Sequence, residues 1–308
     1  MSIDLVIETE QLPPQFRWDP TRPERGTEKF YVETAKSAAK MGQNVVVLGD
    51  FDSEVIVDRV KYCKRGPETT SMLNRLGIRH CLVCNPRQRP YHGRVKAVRV
   101  DAWTNFNLPA EQYGPYLREV DHIIDSGLEP GQFTVISEYH RQQILKADSS
   151  PPIPIRVVPH GVDRSIYYPG DDTLRKKQIV YSSSPDRGLA LLQDIDLQGY
   201  KLVCTSYGQK RMTDQEVASL LRESQFWIHP GQGTELFCLA AVEAQACGAT
   251  PIVVPNGALQ ETVRYGYCFP ESCFINGLQS VLAGEACMTK VTADHIPSWE
   301  EATRQLLL

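Results

Sequence analysis

The chain has 308 residues, 42% of them hydrophobic and 23% charged, with a formal net charge of −4. That is an ordinary composition for a soluble globular protein, with room for one large domain or two medium ones. It supplies no global basic field for nucleic acid. No run approaches the roughly 18 apolar residues of a membrane span. The opening MSIDLVIETE carries neither the basic nor the apolar segment of a secretion signal, so a cytoplasmic protein is expected.

Residues 27–42, TEKFYVETAKSAAKMG, read as a helix that Gly42 stops. NVVVLGD at 44–50 reads as a buried strand closing on a polar turn. Further strands are expected at 78–85 and 94–101, with short ones at 122–126 (HIIDS) and 133–137 (FTVIS), then a helix at 139–147. Such alternation predicts α/β layering around a mostly parallel sheet. The stretch 148–172, dense in Pro, Ser and Asp, reads as a connector between domains. Beyond it the rhythm resumes, with strands at 177–184, 201–208 and 226–231 and helices at 187–195 and 213–224. Two α/β domains of about 150 residues each fit this pattern.

Nine cysteines, an odd number scattered mostly through apolar runs, read as reduced, buried thiols. Cys81 and Cys84 lie close together, near His80 and His92, and invite a test for zinc. No second Cys-x-x-Cys follows, and residues three apart in a strand face opposite sides, so core packing is the better reading.

The segment HPGQGTELFCLAAVEAQACGATPIVV, residues 229–254, holds most of the chemistry. GQGTE falls on the loop after a strand, and an almost wholly apolar helix is expected to run from about Leu236 to Cys247. A helix apolar all round is buried. Its N-terminus then faces the crevice beyond the strand ends where open α/β sheets bind ligands. Unpaired N–H groups and a partial positive charge there suit phosphate, and Gly231 and Gly233 let a ligand approach the backbone. Glu235 would repel phosphate but can accept hydrogen bonds from sugar hydroxyls. Glu243, amid apolar residues, needs hydrogen-bond partners that ribose hydroxyls would provide. The residues alone equally allow Glu235 to complement the helix dipole and Glu243 to pair with a structural Arg. His229 either touches a ligand or is a satisfied core histidine.

The block PGQGTELFCLAAVEAQACGATPIVVPNGALQETV resembles the donor-site segment of glycosyltransferase family 4, the retaining GT-B sugar transferases. The family's two acids, with seven residues between them, match Glu235 and Glu243, and Ala-Cys-Gly-x-x-Pro follows at Ala246–Pro251. NGALQE (256–261) looks like the family's glycine turn, and RVVPHGVD (156–163) like the strand and hinge entering the second domain. SSSPDRGLALL (182–192) resembles the diphosphate segment, with Arg187-Gly188 in place of Lys-Gly. SWEEATRQLLL looks like the C-terminal helix that crosses back.

The resemblance implies a GT-B fold, two Rossmann-like α/β/α domains facing a central cleft. An acceptor-side domain would span 1–158, a nucleotide-sugar-binding domain 159–295 and the returning helix 296–308. It implies transfer of a hexose-type sugar from a UDP- or GDP-linked donor to a glycan, lipid or other hydroxyl, without cofactor or metal. Glu235, Arg187 and Asp101 are the implied catalytic residues, Asp101 standing at the end of strand 94–101 where the family often has His. The implied donor-site residues are Gly26, Ser183, Arg187, Lys210, Gly233, Glu235, Leu236, Phe237, Cys238, Leu239 and Glu243. Trp103 and Asn105 are implied to face the acceptor. Serines 182–184 replace an earlier family Arg, so Lys210 or Arg211 is expected to supply the second cation. Partners are then a nucleotide sugar and a sugar or lipid-linked acceptor, with membrane contact at most peripheral. The alternatives are a non-catalytic nucleotide-sugar-binding or scaffold subunit on the same fold, or a nucleotide-sugar epimerase. A metal-dependent transferase using DFD at 50–52 has less to support it, since DID at 194–196 repeats the spacing inside an expected helix.

Overall fold

The computed structural model describes residues 2–9, 19–21, 26–86, 95–205, 212–292 and 295–308. The chain forms two compact units, Met1–His160 with Trp299–Leu308, and Gly161–Ser298.

The first unit runs β1 (Ile3–Glu8), α1 (Gly26–Lys40), β2 (Val45–Gly49), β3 (Val55–Val57), β4 (Val60–Lys64), α2 (Pro67–Leu76), β5 (Ile78–Cys84), β6 (Ala97–Thr104), α3 (Ala110–Ile124), β7 (Phe133–Val135), α4 (Glu138–Ala147) and β8 (Ile155–Val157). Its eight strands are ordered β3-β4-β2-β1-β5-β6-β7-β8, parallel except for the β3–β4 pair. Leu5, Val6 and Ile7 of β1 and Val47 and Leu48 of β2 are fully buried, as central parallel strands covered on both faces require.

Residues 122–126, expected as a strand, instead close α3. Tyr113, Tyr116, Leu117, Val120, Ile123 and Ile124 bury one face at helical spacing, and that long period overrides a short apolar run. The strand expected at 94–101 continues to Thr104, which places Asp101 inside the sheet rather than at its edge. The expected connector contains β8, which pairs in parallel with β7.

The second unit runs β9 (Lys176–Tyr181), β10 (Lys201–Cys204), α5 (Asp214–Arg222), β11 (Ser224–His229), α6 (Leu239–Ala246), β12 (Thr250–Val253), α7 (Leu259–Thr262), β13 (Tyr265–Cys268), α8 (Phe274–Leu282) and β14 (Lys290–Val291). The order is β10-β9-β11-β12-β13-β14, parallel except for β13–β14. A capping box between Thr213 and Glu216 starts α5, satisfying two backbone donors reciprocally. The helix expected at 187–195 is only two short 3-10 turns, Pro185–Arg187 and Leu189–Leu192. Gly188 between them sits at φ 107, outside helical space. Asp194 and Asp196 therefore lie beyond helical structure.

Buried polar groups tie the second unit together. Arg175 donates to the carbonyls of Leu221, Arg222, Ser224 and Cys247, gathering the C-terminal ends of α5 and α6. Gln245 of α6 donates to the Ala241 and Thr262 carbonyls and accepts from the Arg264 N–H.

The expected C-terminal helix is α9 (Trp299–Leu307), which belongs to the first unit and packs on α1, with Lys40 Nζ 3.0 Å from Glu300 Oε1. All nine cysteines are free. Cys63, Cys81, Cys84 and Cys247 are buried, but Cys204, Cys273 and Cys287 are exposed, so the expected burial holds for only part of the set. Among the described residues no helix is long and apolar enough to cross a membrane.

Candidate active site

In the second sheet β9 is flanked by β10 and β11, so the chain leaves β9 toward one side and returns to build the other. The loops after β9 and β11 thus diverge at a topological switch point, the crevice where open α/β sheets take ligands. Arg187 lies on the first of these loops and Glu235 on the second. Arg187 Nε is 3.5 Å from Glu235 Oε1, and both side chains are partly exposed.

The loop after β11 is held from several directions. The Gly231 N–H donates to His229 Nδ1 at 3.1 Å. Asn256 Nδ2 donates to the Gly231 carbonyl at 2.9 Å and the Gly233 carbonyl at 3.1 Å. The Ala258 N–H donates to the Glu235 carbonyl at 2.7 Å. Gly233 has φ +75, and a Cβ there would collide with the Arg187 guanidinium. The backbone thus favours glycine, and a side chain there would displace the guanidinium.

The helix of this segment begins at Leu239, three residues later than expected. Cys238, its N-cap, has φ 71 and ψ 80, and a left-handed residue cannot continue a right-handed helix. A non-glycine residue there is strained, a condition that clusters at functional sites. The turn places Leu236 and Phe237 in buried positions, leaves Cys238 and Leu239 half-buried, and puts Glu243, also half-buried, one turn into α6.

His229, the last residue of β11, is fully buried. Accepting at Nδ1 assigns the ring proton to Nε2. That Nε2 lies 3.5 Å from Glu235 Oε1 and has no hydrogen-bond partner among the described residues. The potential ligand atoms of His229, Glu235 and Cys238 lie within 4.8 Å of one another. Burial and the charge of Glu235 push the Cys238 thiol well up, so it stays protonated. His229 thus turns a proton, not a lone pair, to the side of the carboxylate. That suits a hydrogen-bonding site better than a cation site.

The remaining donor-site candidates are less informative. Ser183 is half-buried on the loop after β9, whereas its neighbour Ser182 accepts from Trp227 Nε1 at 2.8 Å. Lys210 and Arg211 lie outside the described residues, as does His92. Asn256 was not singled out from sequence. The Asn-Gly dipeptide signals a turn, but nothing local reveals which carbonyls its amide will reach.

The first-unit candidates fare differently. Asp101 is buried in mid-strand, accepting from His80 Nε2 at 2.9 Å, Arg99 Nε at 3.0 Å and the Gln132 N–H at 2.9 Å. Burial alone would raise its carboxyl. The hydrogen bonds from His80 and Arg99 outweigh that and hold it below the usual carboxylate range. It serves the sheet. Trp103, expected at an acceptor, is fully buried and stacked on Phe30 with ring centroids 3.8 Å apart, beside His160. The physical reason is the continuation of β6, which turns this residue into the core. In the same core, burial lowers the His160 imidazole to about 3. Asn105 is half-buried and donates to Thr27 Oγ1 at 2.8 Å, next to Gly26 at the start of α1.

No family model matches the chain, and no curated protein matches it. Solved structures do. A sucrose-phosphate synthase from Thermosynechococcus elongatus is 15% identical, with 99% of this chain and 94% of that one covered and a TM-score of 0.64. A glycosyltransferase from Rickettsia africae ESF-5 is 12% identical, with coverage of 100% and 97% and a TM-score of 0.62. Anabaena Alr3699/HepE in complex with UDP-glucose is 11% identical, with 98% of each chain covered and a TM-score of 0.59. At such identities the likeness speaks for architecture. The matched structures include GT-B glycosyltransferases, and two parallel-dominated sheets in two Rossmann-like units give this chain the GT-B fold.

Proposed function

We propose that the chain is a retaining glycosyltransferase. It would move a hexose-type sugar from a UDP- or GDP-linked donor to a hydroxyl of a glycan, lipid or other acceptor. The convergence of Arg187 and Glu235 from loops on either side of the switch point carries this reading. A cation and an acid at one crevice match the two halves of a nucleotide sugar, and the UDP-glucose bound by the Anabaena neighbour is a ligand of that chemistry.

Arg187 would engage the diphosphate, which guanidinium geometry suits. The backbone around 236–239 at the start of α6 would share that load. Together they would stabilise charge on the leaving phosphate, which makes a metal unnecessary. Glu235 would accept from the sugar hydroxyls and fix the ring, while Glu243 would accept from the ribose. The bond from the anomeric carbon to the phosphate oxygen breaks, and a bond to the acceptor oxygen forms on the same face. The acceptor proton passes to the leaving phosphate. Asp101 has no part in this, because its hydrogen bonds are committed within the sheet.

A thermal-shift panel of UDP, GDP, ADP and their sugar conjugates identifies the donor. Ligand at 100 times its Kd adds about 2.7 kcal/mol of stability. With that donor, Glu235→Ala keeps the nucleotide-induced shift and loses transfer on the order of a hundredfold. Turnover close to wild type in this variant sinks the role given to Glu235.

A further inference from the structure

His229 has a feature that the donor-binding reading does not use. It is fully buried, yet Nε2 makes no hydrogen bond to any described residue, and the nearby carboxylate oxygen is 3.5 Å away. Its other nitrogen is committed. Nδ1 accepts from the Gly231 N–H, while the Gly231 carbonyl accepts from Asn256, so side chains hold both polar groups of this residue. A ring flip would abandon the Gly231 bond and point a carbon at its N–H. The ring is therefore fixed with Nε2 as its protonated nitrogen, 3.5 Å from Glu235 Oε1, and a buried donor of this kind is costly to leave unmet.

Arg187 and His229 address the same oxygen, Glu235 Oε1, each at 3.5 Å. A diphosphate that recruits the guanidinium removes one of the two. We propose that His229 is the positioning residue for Glu235, its fixed Nε2–H closing onto the carboxylate and holding it toward the sugar when Arg187 turns to phosphate. The effect on turnover rests on the glycosyltransferase reading, whereas the fixed tautomer and its place beside Glu235 do not.

Two substitutions separate the two edges of the ring. In His229→Asn the amide oxygen takes the place of Nδ1, keeping the Gly231 bond, and the Nε2 donor is lost. In His229→Gln an amide donor reaches the place of Nε2. The full chain labelled with ¹⁵N-histidine gives a long-range ¹H–¹⁵N spectrum in which His229 is the ring missing from His229→Asn. That ring is expected to carry its proton on Nε2, and its resonance to move in Glu235→Gln. A proton on Nδ1, or a resonance indifferent to Glu235→Gln, overturns the proposal.

With UDP-glucose, GDP-mannose and ADP-glucose as probes, and released nucleoside diphosphate as readout, His229→Asn lowers kcat about tenfold or more while the donor KM changes little, and His229→Gln regains much of the loss. Unchanged kcat in His229→Asn, or no recovery in His229→Gln, also overturns it. If the wild-type chain neither binds nor consumes any probe, the glycosyltransferase reading fails instead, and the spectrum alone decides the place of His229.

Discussion

The two units each hold an acid, a histidine and an arginine, and they use them in opposite ways. In the first unit Asp101 receives His80, Arg99 and a backbone N–H at 2.9 to 3.0 Å and is 1% exposed. In the second, Glu235 has His229 and Arg187 both at 3.5 Å, with an 18% exposed side chain. The residue types match, so chemistry alone does not separate structure from site. Position does. Asp101 sits inside a strand, where β5, β6 itself and the residue entering β7 fix every partner. Glu235 sits on a loop at the strand ends, where partners come close without closing. A satisfied trio stabilises the fold, and an unsatisfied one retains capacity for a ligand.

The contrast breaks first if the two acids weigh equally on stability. Asp101→Ala leaves His80 and Arg99 facing a buried gap, and removal of one member of a buried charged set costs about 3 kcal/mol. Glu235→Ala, on a loop, is expected to cost no more than about 0.5 kcal/mol. Urea denaturation of both variants measures the difference. Acidity sharpens it. Because the Asp101 carboxyl is held below its ordinary 3.8 in the folded chain, the stability it contributes is present above that value. It is lost as pH falls through the lower folded value. The gap between wild type and Asp101→Ala therefore narrows below about pH 4. A gap that stays constant into stronger acid contradicts the assigned hydrogen bonds.

Arg187→Ala tests the open trio from the other side. Its guanidinium is partly exposed and its one ion pair among the described residues is the loose one to Glu235, so the fold should barely respond. Nucleotide affinity should fall roughly ten- to a hundredfold, the worth of about 1.5 to 3 kcal/mol for a hydrogen bond to a charged group. Isothermal titration with the best-bound nucleoside diphosphate reads this directly. Unaltered affinity would move the diphosphate away from this crevice.

The second-unit half of this contrast was legible in the sequence. Glu235, the glycines before the apolar run and Arg187-Gly188 all fall on the two loops that diverge at one crevice, because loop-to-helix junctions leave local marks. Strand ends did not. Nothing in RVKAVRVDAWTN shows that β6 runs on to Thr104, since apolar and aromatic residues continue past Asp101 with no turn residue to stop them. That one misplaced boundary carried Asp101 and Trp103 into the site. Partners remote in sequence were equally silent. His80 meets Asp101 only because β5 and β6 pair in register, and Asn256 reaches Gly231 across 25 positions.

The smallest effect isolates the crevice from plain backbone strain. Gly233 and Gly42 both have left-handed backbones, φ +75 and φ +90, but differ in surroundings. A Cβ on Gly42, after α1 in the first unit, meets nothing within 4 Å, whereas on Gly233 it collides with the Arg187 guanidinium. Forcing alanine into this region costs about 1 kcal/mol in either place. Both variants should therefore lose similar stability in urea. Only Gly233→Ala should also weaken nucleotide binding, by a few-fold, because the guanidinium must shift away from the loop to admit a methyl group. Equal affinity in the two variants would mean that Arg187 reaches its ligand from elsewhere, and that its rest against Gly233 is packing.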